Sequence, residues 1–349
     1  MNKHEPLGRK LDLRHGRVDL SHGSGGRAMA RLIADVFHAA FDNDWLRAGN
    51  DQAAFDIPGG RMAMTTDGYV VSPLFFPGGD IGKLAVHGTI NDIAMAGARP
   101  LHMSASFIIE EGFPLADLSR IAQSMGEASR EAGVPIVTGD TKVVERGKAD
   151  GVFISTACVG VVPAGLELSG DKARPGDVIL LSGAIGDHGV AVMSKRENLS
   201  FETEVLSDTA ALHELVAAMV AAAGASIRLM RDPTRGGLAA TLNEVAHQSK
   251  VGAQIDEASI PVAPQVAAAC ELLGLDPLFV ANEGKLVAIV APEAADALLA
   301  VMRAHPLGAR SARIGEIVAD EHCFVQMTTR FGGGRIIDWL SGEQLPRIC

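Results

Sequence analysis

The chain has 349 residues, and its 47% hydrophobic and 21% charged fractions are typical of a globular protein. Aromatic residues make up only 4%, so aliphatic side chains must fill the cores. A net charge of −11 argues against a general binder of nucleic acids or of anionic membranes. The length suggests about two domains.

The cysteines and the apolar segments indicate the cellular compartment. Cys158, Cys270, Cys323 and Cys349 are scattered without a CxxC pair, so we expect neither a zinc site nor a disulfide framework. No apolar run follows the basic start of the chain, so we expect no signal peptide. The most apolar stretch, LVAAMVAAAGASI, is shorter than the roughly 20 residues of a membrane span and predicts a buried helix. We therefore predict a cytoplasmic protein.

The first half of the chain alternates predicted strands and helices after an N-terminal arm, residues 1–17. MAMTTDGYVV and LHMSASFII are apolar and rich in strand-forming residues, and each predicts a strand. The stretch between them, IGKLAVHGTINDIAMAGARP, has helical spacing and a stop signal at Gly97. LADLSRIAQSMGEASREAG predicts a second helix that ends at Gly133, before the strands PIVTGDTKVV and GVFISTACVGVV. These elements form a predicted first domain, residues 18–165.

The second half repeats the alternation after a turn rich in proline and glycine. DVILLSG and KLVAIVAP predict strands, and the Ala-rich segment, GLAATLNEVAHQ and EAADALLAVMRAH predict helices. They form a predicted second domain, residues 166–331. From residue 332 to 349 the periodicity is lost, and we expect a mobile tail. The predicted fold class is α+β, a mixed α/β architecture in two domains.

Two glycine-rich segments differ in what they predict. SHGSGG precedes an amphipathic helix, and its backbone N–H groups suit a phosphate; a flexible entry loop with Ser24 as a helix cap fits equally well. PGGDIGKL is not a P-loop, because the spacing from Gly78 to Lys83 is one residue short. Leu84 also replaces the Ser or Thr that would contact magnesium.

Several aspartates stand at the edges of apolar segments, often beside glycine or threonine. They are Asp51, Asp67, Asp92, Asp140 and Asp232. Each one alone is more typical of a turn or a helix cap. Five of them beside a glycine-rich loop favour a site for Mg²⁺ and a nucleotide, because Mg²⁺ binds carboxylate and phosphate oxygens.

The order of HGSGG, TTDGY, NDIA, TGDTK and RDPTRGG resembles the ATP-binding superfamily of aminoimidazole ribonucleotide synthetase, selenophosphate synthetase and thiamine-monophosphate kinase. The longer segment DGYVVSPLFFPGGDIGKLAVHGTINDIAMAGARP, with TGDTKVVERG, GDHG, ANEGKL and a closing PRIC, is similar to the HypE family of hydrogenase maturation proteins. The resemblance covers nearly the whole chain. One departure is the Asp51-Gln52-Ala53 segment, where the superfamily often has a second acid, so any role that needs the second carboxylate is in doubt.

The resemblance implies a two-domain aminoimidazole ribonucleotide synthetase-like fold that dimerises through its first domain and holds ATP and Mg²⁺ between neighbouring chains and domains. Implied cofactor-binding residues are Gly23, Ser24, Gly25, Gly26, Asp67, Asn91, Asp92, Gly139, Asp140, Thr141 and Asp232. Implied metal ligands are Asp51, Asp67, Asp92 and Asp140. The implied partners are a carbamoyltransferase and an iron-bearing hydrogenase maturation scaffold complex.

The resemblance also implies a reaction on the last residue. Proteins of this family receive a carbamoyl group on the terminal cysteine, here Cys349, and dehydrate it with ATP to a thiocyanate. Glu283 and Lys142 are implied candidates for proton removal and for polarisation of the carbamoyl group, and His188 is a weaker candidate base. We expect Arg347 to oppose the rise in the pKa of the thiol that the chain-terminal carboxylate causes.

Two other functions remain open at this stage. Another ATP-using member of the superfamily, such as a selenophosphate synthetase or a small-molecule kinase, would share the glycine and aspartate segments. However, SHGSGG lacks the reactive cysteine of selenophosphate synthetases. A non-enzymatic scaffold with a terminal thiol would not need those segments, and prenylation is excluded because Cys349 is the last residue rather than the fourth from the end.

Overall fold

The structure is a computed structural model that describes residues 10–23, 27–47, 55, 59–198, 204–339, 345 and 347–349. Among the residues singled out from the sequence, Ser24, Gly25, Gly26 and Asp51 lie outside the described residues. Within the described part of the chain, no helix combines the length and the apolar composition that a bilayer crossing requires.

The first half of the chain forms a four-stranded sheet with helices on one face, and Phe75–Phe76 pairs with Gly79–Asp80 in a separate two-stranded sheet. Its labelled elements are α1 (Arg27–Leu32), a π-helical turn (Ile33–His38), α2 (Ala39–Phe41), α3 (Asp44–Arg47), β1 (Arg61–Tyr69), β2 (Phe75–Phe76), β3 (Gly79–Asp80), α4 (Ile81–Met95), β4 (Arg99–Glu110), α5 (Leu115–Glu131), β5 (Ile136–Val144) and β6 (Val152–Val162). The predicted strands and helices of this half are confirmed.

The sheet of the first half has the strand order β1-β6-β4-β5, so β1 and β5 occupy opposite edges among the described strands. β1 and β4 are antiparallel to β6, whereas β4 and β5 run parallel. Buried and partly buried residues alternate along β6, because one face packs on α4 and α5 and the other face does not. The two edges are therefore separated by two strands.

Helix α4 is buried on nearly all sides, which fits its continuous apolar sequence. It begins at Asp80, whose Oδ1 accepts hydrogen bonds from the backbone N–H groups of Gly82 (2.8 Å) and Lys83 (2.9 Å). PGGDIGKL therefore contains a helix N-cap. The helix ends before Gly97, which adopts a left-handed φ of +67°, as the sequence predicts.

The second half of the chain forms a larger mixed sheet. Its labelled elements are β7 (Val178–Leu181), α6 (Asp187–Arg196), α7 (His213–Ala223), β8 (Ile227–Arg231), α8 (Gly237–Ser249), β9 (Gly252–Asp256), α9 (Pro264–Leu273), β10 (Val287–Val290), α10 (Pro292–Ala304), β11 (Ala312–Val318), β12 (Val325–Thr328) and β13 (Gly334–Ile336). The described strands lie in the order β13-β12-β9-β11-β7-β10-β8. The mixed α/β prediction is confirmed for both halves.

The two halves share buried surface. Ala94 and Met95 at the end of α4 belong to the same apolar cluster as Leu215 and Met219 of α7. Asn91 extends this contact with polar bonds: its Nδ2 donates to the carbonyls of Ala210 (3.0 Å) and Glu283 (3.2 Å). Because α4 is packed between the two sheets, residues on it are fixed relative to both halves.

The segment predicted as a tail from residue 332 is ordered at its start. β13 pairs with β12, and the N–H of Ile337 donates to the carbonyl of Val325. β13 is thus a short strand inside the segment predicted as a tail, and its three residues are too few to produce a strand pattern in the sequence. The described residues at the end of the chain, 347–349, also lie against the protein.

The cap of α4 can be tested by substitution. Asp80→Ala removes the side-chain acceptor of two backbone N–H groups at the start of α4, and we expect it to lower the free energy of unfolding by about 1–2 kcal/mol. Asp80→Asn retains an acceptor oxygen and should lose less. Urea unfolding followed by circular dichroism measures both. Asp296→Ala on the exposed side of α10 is the control, and an equal effect in Asp80→Ala and Asp296→Ala would contradict the capping role.

Candidate active site

A cleft opens between the two halves of the chain. It receives side chains from the end of β1, from α4, from the loop after β8 and from the loop before β10. The last residue of the chain also lines it. The lining residues are Asp67, Gly68, Tyr69, Gly88, Asp92, Asp232, Thr234, Arg235, Glu283 and Cys349. The structure thus brings five of the sequence-predicted site residues together.

Asp67 is held by a tyrosine two residues further along the chain. The hydroxyl of Tyr69 donates to Oδ2 of Asp67 at 2.9 Å and lies 3.3 Å from the hydroxyl of Thr89. Gly88 of α4 makes room for this contact, because a Cβ there would lie 2.3 Å from the Tyr69 hydroxyl oxygen. Burial and the charge of Asp67 raise the pKa of Tyr69 well above its usual value, so Tyr69 remains a proton donor.

Asp92 and Asp232 are carboxyl groups that share the cleft. Thr65 donates a hydrogen bond of 2.8 Å to Oδ2 of Asp92. Burial, followed by the charge of Asp67, raises the pKa of Asp92 to about 6. Burial, followed by the charge of Asp92, raises the pKa of Asp232 to about 7. A cation in the cleft would lower both values, so the pair is suited to one.

Glu283 is the most enclosed acid of the cleft. Its side chain is almost fully buried, and its Oε1 has no hydrogen-bond partner among the described residues. Burial and the neighbouring Asp232 raise the pKa of Glu283 well above its usual value. A buried oxygen of this kind is costly without a partner, which indicates that a ligand supplies one.

A buried ion pair positions the loop that carries Glu283. Asp208 accepts hydrogen bonds from the backbone N–H of Glu283 (3.0 Å) and from the Nζ of Lys285 (2.9 Å). Gly284 allows this approach, since a Cβ there would lie 1.8 Å from the carbonyl oxygen of Asp208. In the ANEGKL segment, Gly284 and Lys285 therefore serve to position Glu283.

The last three residues pair with the segment that follows β1. The N–H of Val70 donates to the carbonyl of Cys349 (3.2 Å), and the N–H of Ser72 donates to the carbonyl of Arg347 (3.1 Å). Burial and the nearby Glu283 raise the pKa of the Cys349 thiol to about 12, so the thiol is neutral in this position.

The basic residue beside the thiol is not the one expected from the sequence. Arg347 donates to the carbonyl of Val70 (2.9 Å) and pairs with Asp150, so the prediction that it acts on the thiol is wrong. Arg235, from the RDPTRGG segment, is the cation that opposes the rise in the pKa of Cys349. Its position in the cleft could not be derived from spacing, because the loop after β8 must fold back to reach the thiol.

The predicted residues of β5 lie elsewhere. Lys142 forms an ion pair of 2.6 Å with Asp140, and both side chains are exposed at the edge of the sheet opposite β1. Gly139 and Thr141 are on the same strand. Gly23 packs against it too, since a Cβ there would lie 2.8 Å from the Cβ of Val143. Within one chain, the β5 residues are thus not beside Asp67 and Glu283.

Two further predicted residues are occupied by contacts within the protein. The Oδ1 of Asn91 accepts from the N–H of Leu212 (2.8 Å) in addition to the two bonds that its Nδ2 donates. The Asn91 amide therefore links the two halves of the chain, and these bonds leave it no free group for a ligand. His188 is fully buried and does not line the cleft.

The donor set of the cleft fits a magnesium ion with phosphate. The described residues contain no group of three or more His, Cys, Asp or Glu side chains placed to hold a metal by themselves. Mg²⁺ is usually bound by one or two carboxylates together with phosphate oxygens and water. Asp67 and Asp92, whose negative charges repel each other, provide two such carboxylates.

Comparison with known proteins gives consistent results over the whole chain. Residues 49–162 match the AIR synthase related protein N-terminal domain, and residues 174–328 match the C-terminal domain. The carbamoyl dehydratase HypE of Rhizobium leguminosarum bv. viciae is 77% identical over 98% of this chain and 97% of its own length.

Solved structures agree with the sequence comparison. A crystal structure of the hydrogenase maturation protein HypE in complex with ATP has a TM-score of 0.91 and 51% identity, over 95% of this chain and 99% of that chain. A HypE–HypF complex has a TM-score of 0.78 and 49% identity, over 88% of this chain and 99% of that chain. The chain therefore belongs to the AIR synthase related family and, within it, to the HypE carbamoyl dehydratases.

Proposed function

We propose that this chain uses ATP to dehydrate an S-carbamoyl group on Cys349 to a thiocyanate, which supplies the cyanide ligand of nickel–iron hydrogenase in the cytoplasm. The main support is that the terminal thiol lies in a cleft lined by Arg235 and by four acids, beside the unpartnered oxygen of Glu283. The ATP complex of a relative that is 51% identical supports ATP as the second substrate.

The reaction needs a better leaving group than the carbamoyl oxygen. That oxygen attacks the γ-phosphorus of ATP, the bond from phosphorus to the ADP oxygen breaks, and one N–H proton is lost to give an S-linked imidate phosphate, Cys–S–C(=NH)–O–phosphate. The C–O bond then breaks and phosphate departs with the second N–H proton transferred to a base. The product is Cys–S–C≡N; the carbamoyl oxygen leaves in the phosphate, and the two N–H protons are the hydrogens of the water that is removed. The protein must orient the oxygen and accept protons.

Glu283 is suited to the proton step. Its side chain and that of Cys349 line the same cleft, so a carbamoyl group on the sulfur shares that cleft with the carboxyl group of Glu283. A raised pKa makes the ionised form of Glu283 a stronger base than an ordinary carboxylate. Arg235 is positioned to balance the negative charge of a phosphorylated carbamoyl group.

Mg²⁺ would be held by Asp67 and Asp92, with Asp140 and Asp51 as further proposed ligands. When bound, it would neutralise charge on the phosphates of ATP. Within this chain, Tyr69 and Thr65 fix the orientation of the two carboxylates before any ion arrives. Asp232 adds a third acid on the other side of the cleft.

A homodimer would account for the two separated groups of predicted residues. Asp140 and Lys142 lie at one edge of the first sheet and Asp67 at the other, so a single site requires two chains to contribute. The strand register places Lys142 on the same sheet face as the exposed Met64 and Ile108, which is apolar surface suited to a second copy. Lys142 would then polarise the carbamoyl group on the neighbouring chain.

The carbamoyl group must reach Cys349 from a partner. A structure of HypE bound to HypF supports a carbamoyltransferase in this role. The thiol is neutral in the cleft, with a pKa of about 12, and thiolate is the reactive form. Release of residues 347–349 from the cleft therefore precedes carbamoyl transfer, and their return precedes dehydration. The cyano group of the thiocyanate is then passed to an iron-bearing scaffold complex, and its bond to the sulfur of Cys349 breaks.

Substitution of the terminal cysteine tests the proposal directly. Intact-protein mass spectrometry after incubation with the carbamoyltransferase, carbamoyl phosphate and ATP should show a carbamoyl adduct and then a species one water lighter. Cys349→Ala should show neither, and Cys323→Ala, at a half-buried cysteine outside the cleft, should show both. An unmodified wild-type protein with a verified active partner would reject the proposal.

Glu283→Gln keeps the shape of the side chain but removes a proton acceptor. We expect carbamoylation to proceed and dehydration to slow by about 10²- to 10⁴-fold. Single-turnover mass spectrometry from carbamoylated protein measures the rate. Glu271→Gln, at an exposed position on α9, should match the wild type. Dehydration at the wild-type rate in Glu283→Gln would exclude Glu283 as the base.

Met64→Glu tests the proposed dimer. Met64 is 73% exposed, and a charge at its position should prevent the apolar sheet faces from meeting. Sedimentation velocity should show a dimer for the wild type and a monomer for Met64→Glu, with dehydration lost. Phe331→Glu, at a fully exposed residue of the second half, should stay dimeric. A wild-type monomer that dehydrates its carbamoyl group would rule out a site shared between chains.

A further inference from the structure

His188 has both ring nitrogens engaged although it lies outside the cleft. It stands at the start of α6, where its Nε2 is 2.8 Å from the backbone carbonyl oxygen of Ile348 and its Nδ1 is 2.8 Å from the hydroxyl of Ser207. Phe76 packs edge-on against the ring, with centroids 5.4 Å apart. Position and orientation of the imidazole are therefore fixed from three sides.

The contact with Ile348 determines which nitrogen carries the proton. A carbonyl oxygen only accepts hydrogen bonds, so Nε2 must be the donor. Burial lowers the pKa of His188, against the opposing charge of Asp208, and the neutral ring has one N–H. Nδ1 is then an acceptor for the Ser207 hydroxyl, whose oxygen lies 3.2 Å from the N–H of Thr209.

This arrangement holds the end of the chain from the side opposite β1. On one side the N–H of Val70 binds the carbonyl of Cys349, and on the other side His188 binds the carbonyl of Ile348. Ile348 is only 3% exposed, so its carbonyl would lack a ready replacement for the imidazole. Two consecutive carbonyls are thus fixed by donors from the two halves of the chain, which sets the direction of the Cys349 side chain.

We propose that His188 is a positioning residue that docks the terminal segment by donating its Nε2–H to the carbonyl of Ile348. It does not touch the thiol, so it is not the base suggested as an alternative from the sequence. The docking role stands on these contacts alone, and only its effect on dehydration rests on the proposed function. Loss of the donor leaves a buried carbonyl unpaired, and we expect the docked population to fall by about 10- to 100-fold relative to the released one.

The first test measures the protection of Cys349 without ATP or partner. Alkylation by iodoacetamide, located by peptide mass spectrometry, reports how often the thiol leaves the cleft. His188→Leu should raise the rate by about 10- to 100-fold. His188→Gln should stay near the wild type, because its amide can donate from a position similar to Nε2. His247→Leu, on an exposed part of α8, is the control.

A second measurement needs no substitution of His188. Nitrogen-15 NMR of the wild type should show His188 protonated at Nε2 and bare at Nδ1. Deletion of residues 345–349 should shift the Nε2 signal, because its acceptor is removed. Protonation at Nδ1, an unchanged Nε2 signal after deletion, or equal alkylation of folded His188→Leu and wild type would overturn the inference.

The kinetic consequence separates this inference from the proposed function. Single-turnover dehydration should slow in His188→Leu, whereas carbamoyl transfer from the partner should be as fast as in the wild type or faster. A general loss of structure would slow both steps. If wild-type protein shows His188-dependent protection but no dehydration, the docking role stands and the proposed function fails.

Discussion

Burial of several carboxyl groups in one cleft is the constraint on which the rest of the site depends. Burial and the neighbouring acids raise the pKa values of Asp92, Asp232 and Glu283, so these three groups favour protons or a cation. The neighbouring residues are arranged to hold these acids despite the repulsion. Hydroxyl donors hold Asp67 and Asp92 in place. The ion pair of Asp208 with Lys285 holds the loop that carries Glu283. The site is thus organised before a substrate enters.

The position of the cleft follows from the packing of α4. This helix is buried between the two sheets, and its residues contribute to both the apolar contact and the acidic cleft. The last residues of the chain complete the same boundary with bonds to both halves. A displacement of one half relative to the other would therefore change both the arrangement of the acids and the position of the Cys349 thiol. The relative placement of the two halves thus determines whether Cys349 is docked in the cleft.

Local patterns in the sequence predicted most elements, the mixed fold and the acids at strand ends. The convergence of Asp67, Asp92, Asp232, Glu283 and Cys349 could not be derived, because it depends on contacts between residues far apart in the chain. The contacts of Arg235, Arg347 and Asn91 also join residues far apart in the chain, so their roles could not be predicted from the sequence. The strand β13 has no signal in the sequence either, since its three residues obtain their strand conformation from pairing with β12.

The position of the Cys349 thiol in the cleft also affects its susceptibility to oxidation. Oxidation of cysteine to sulfenic and higher acids proceeds through the thiolate and requires access to the oxidant. Cys349 in the cleft is neutral and largely enclosed, so the docked state is the resistant one. The docked protein is then more resistant to oxidation than the protein with its terminal segment released. Susceptibility to peroxide is greatest while the thiol is available to its partner.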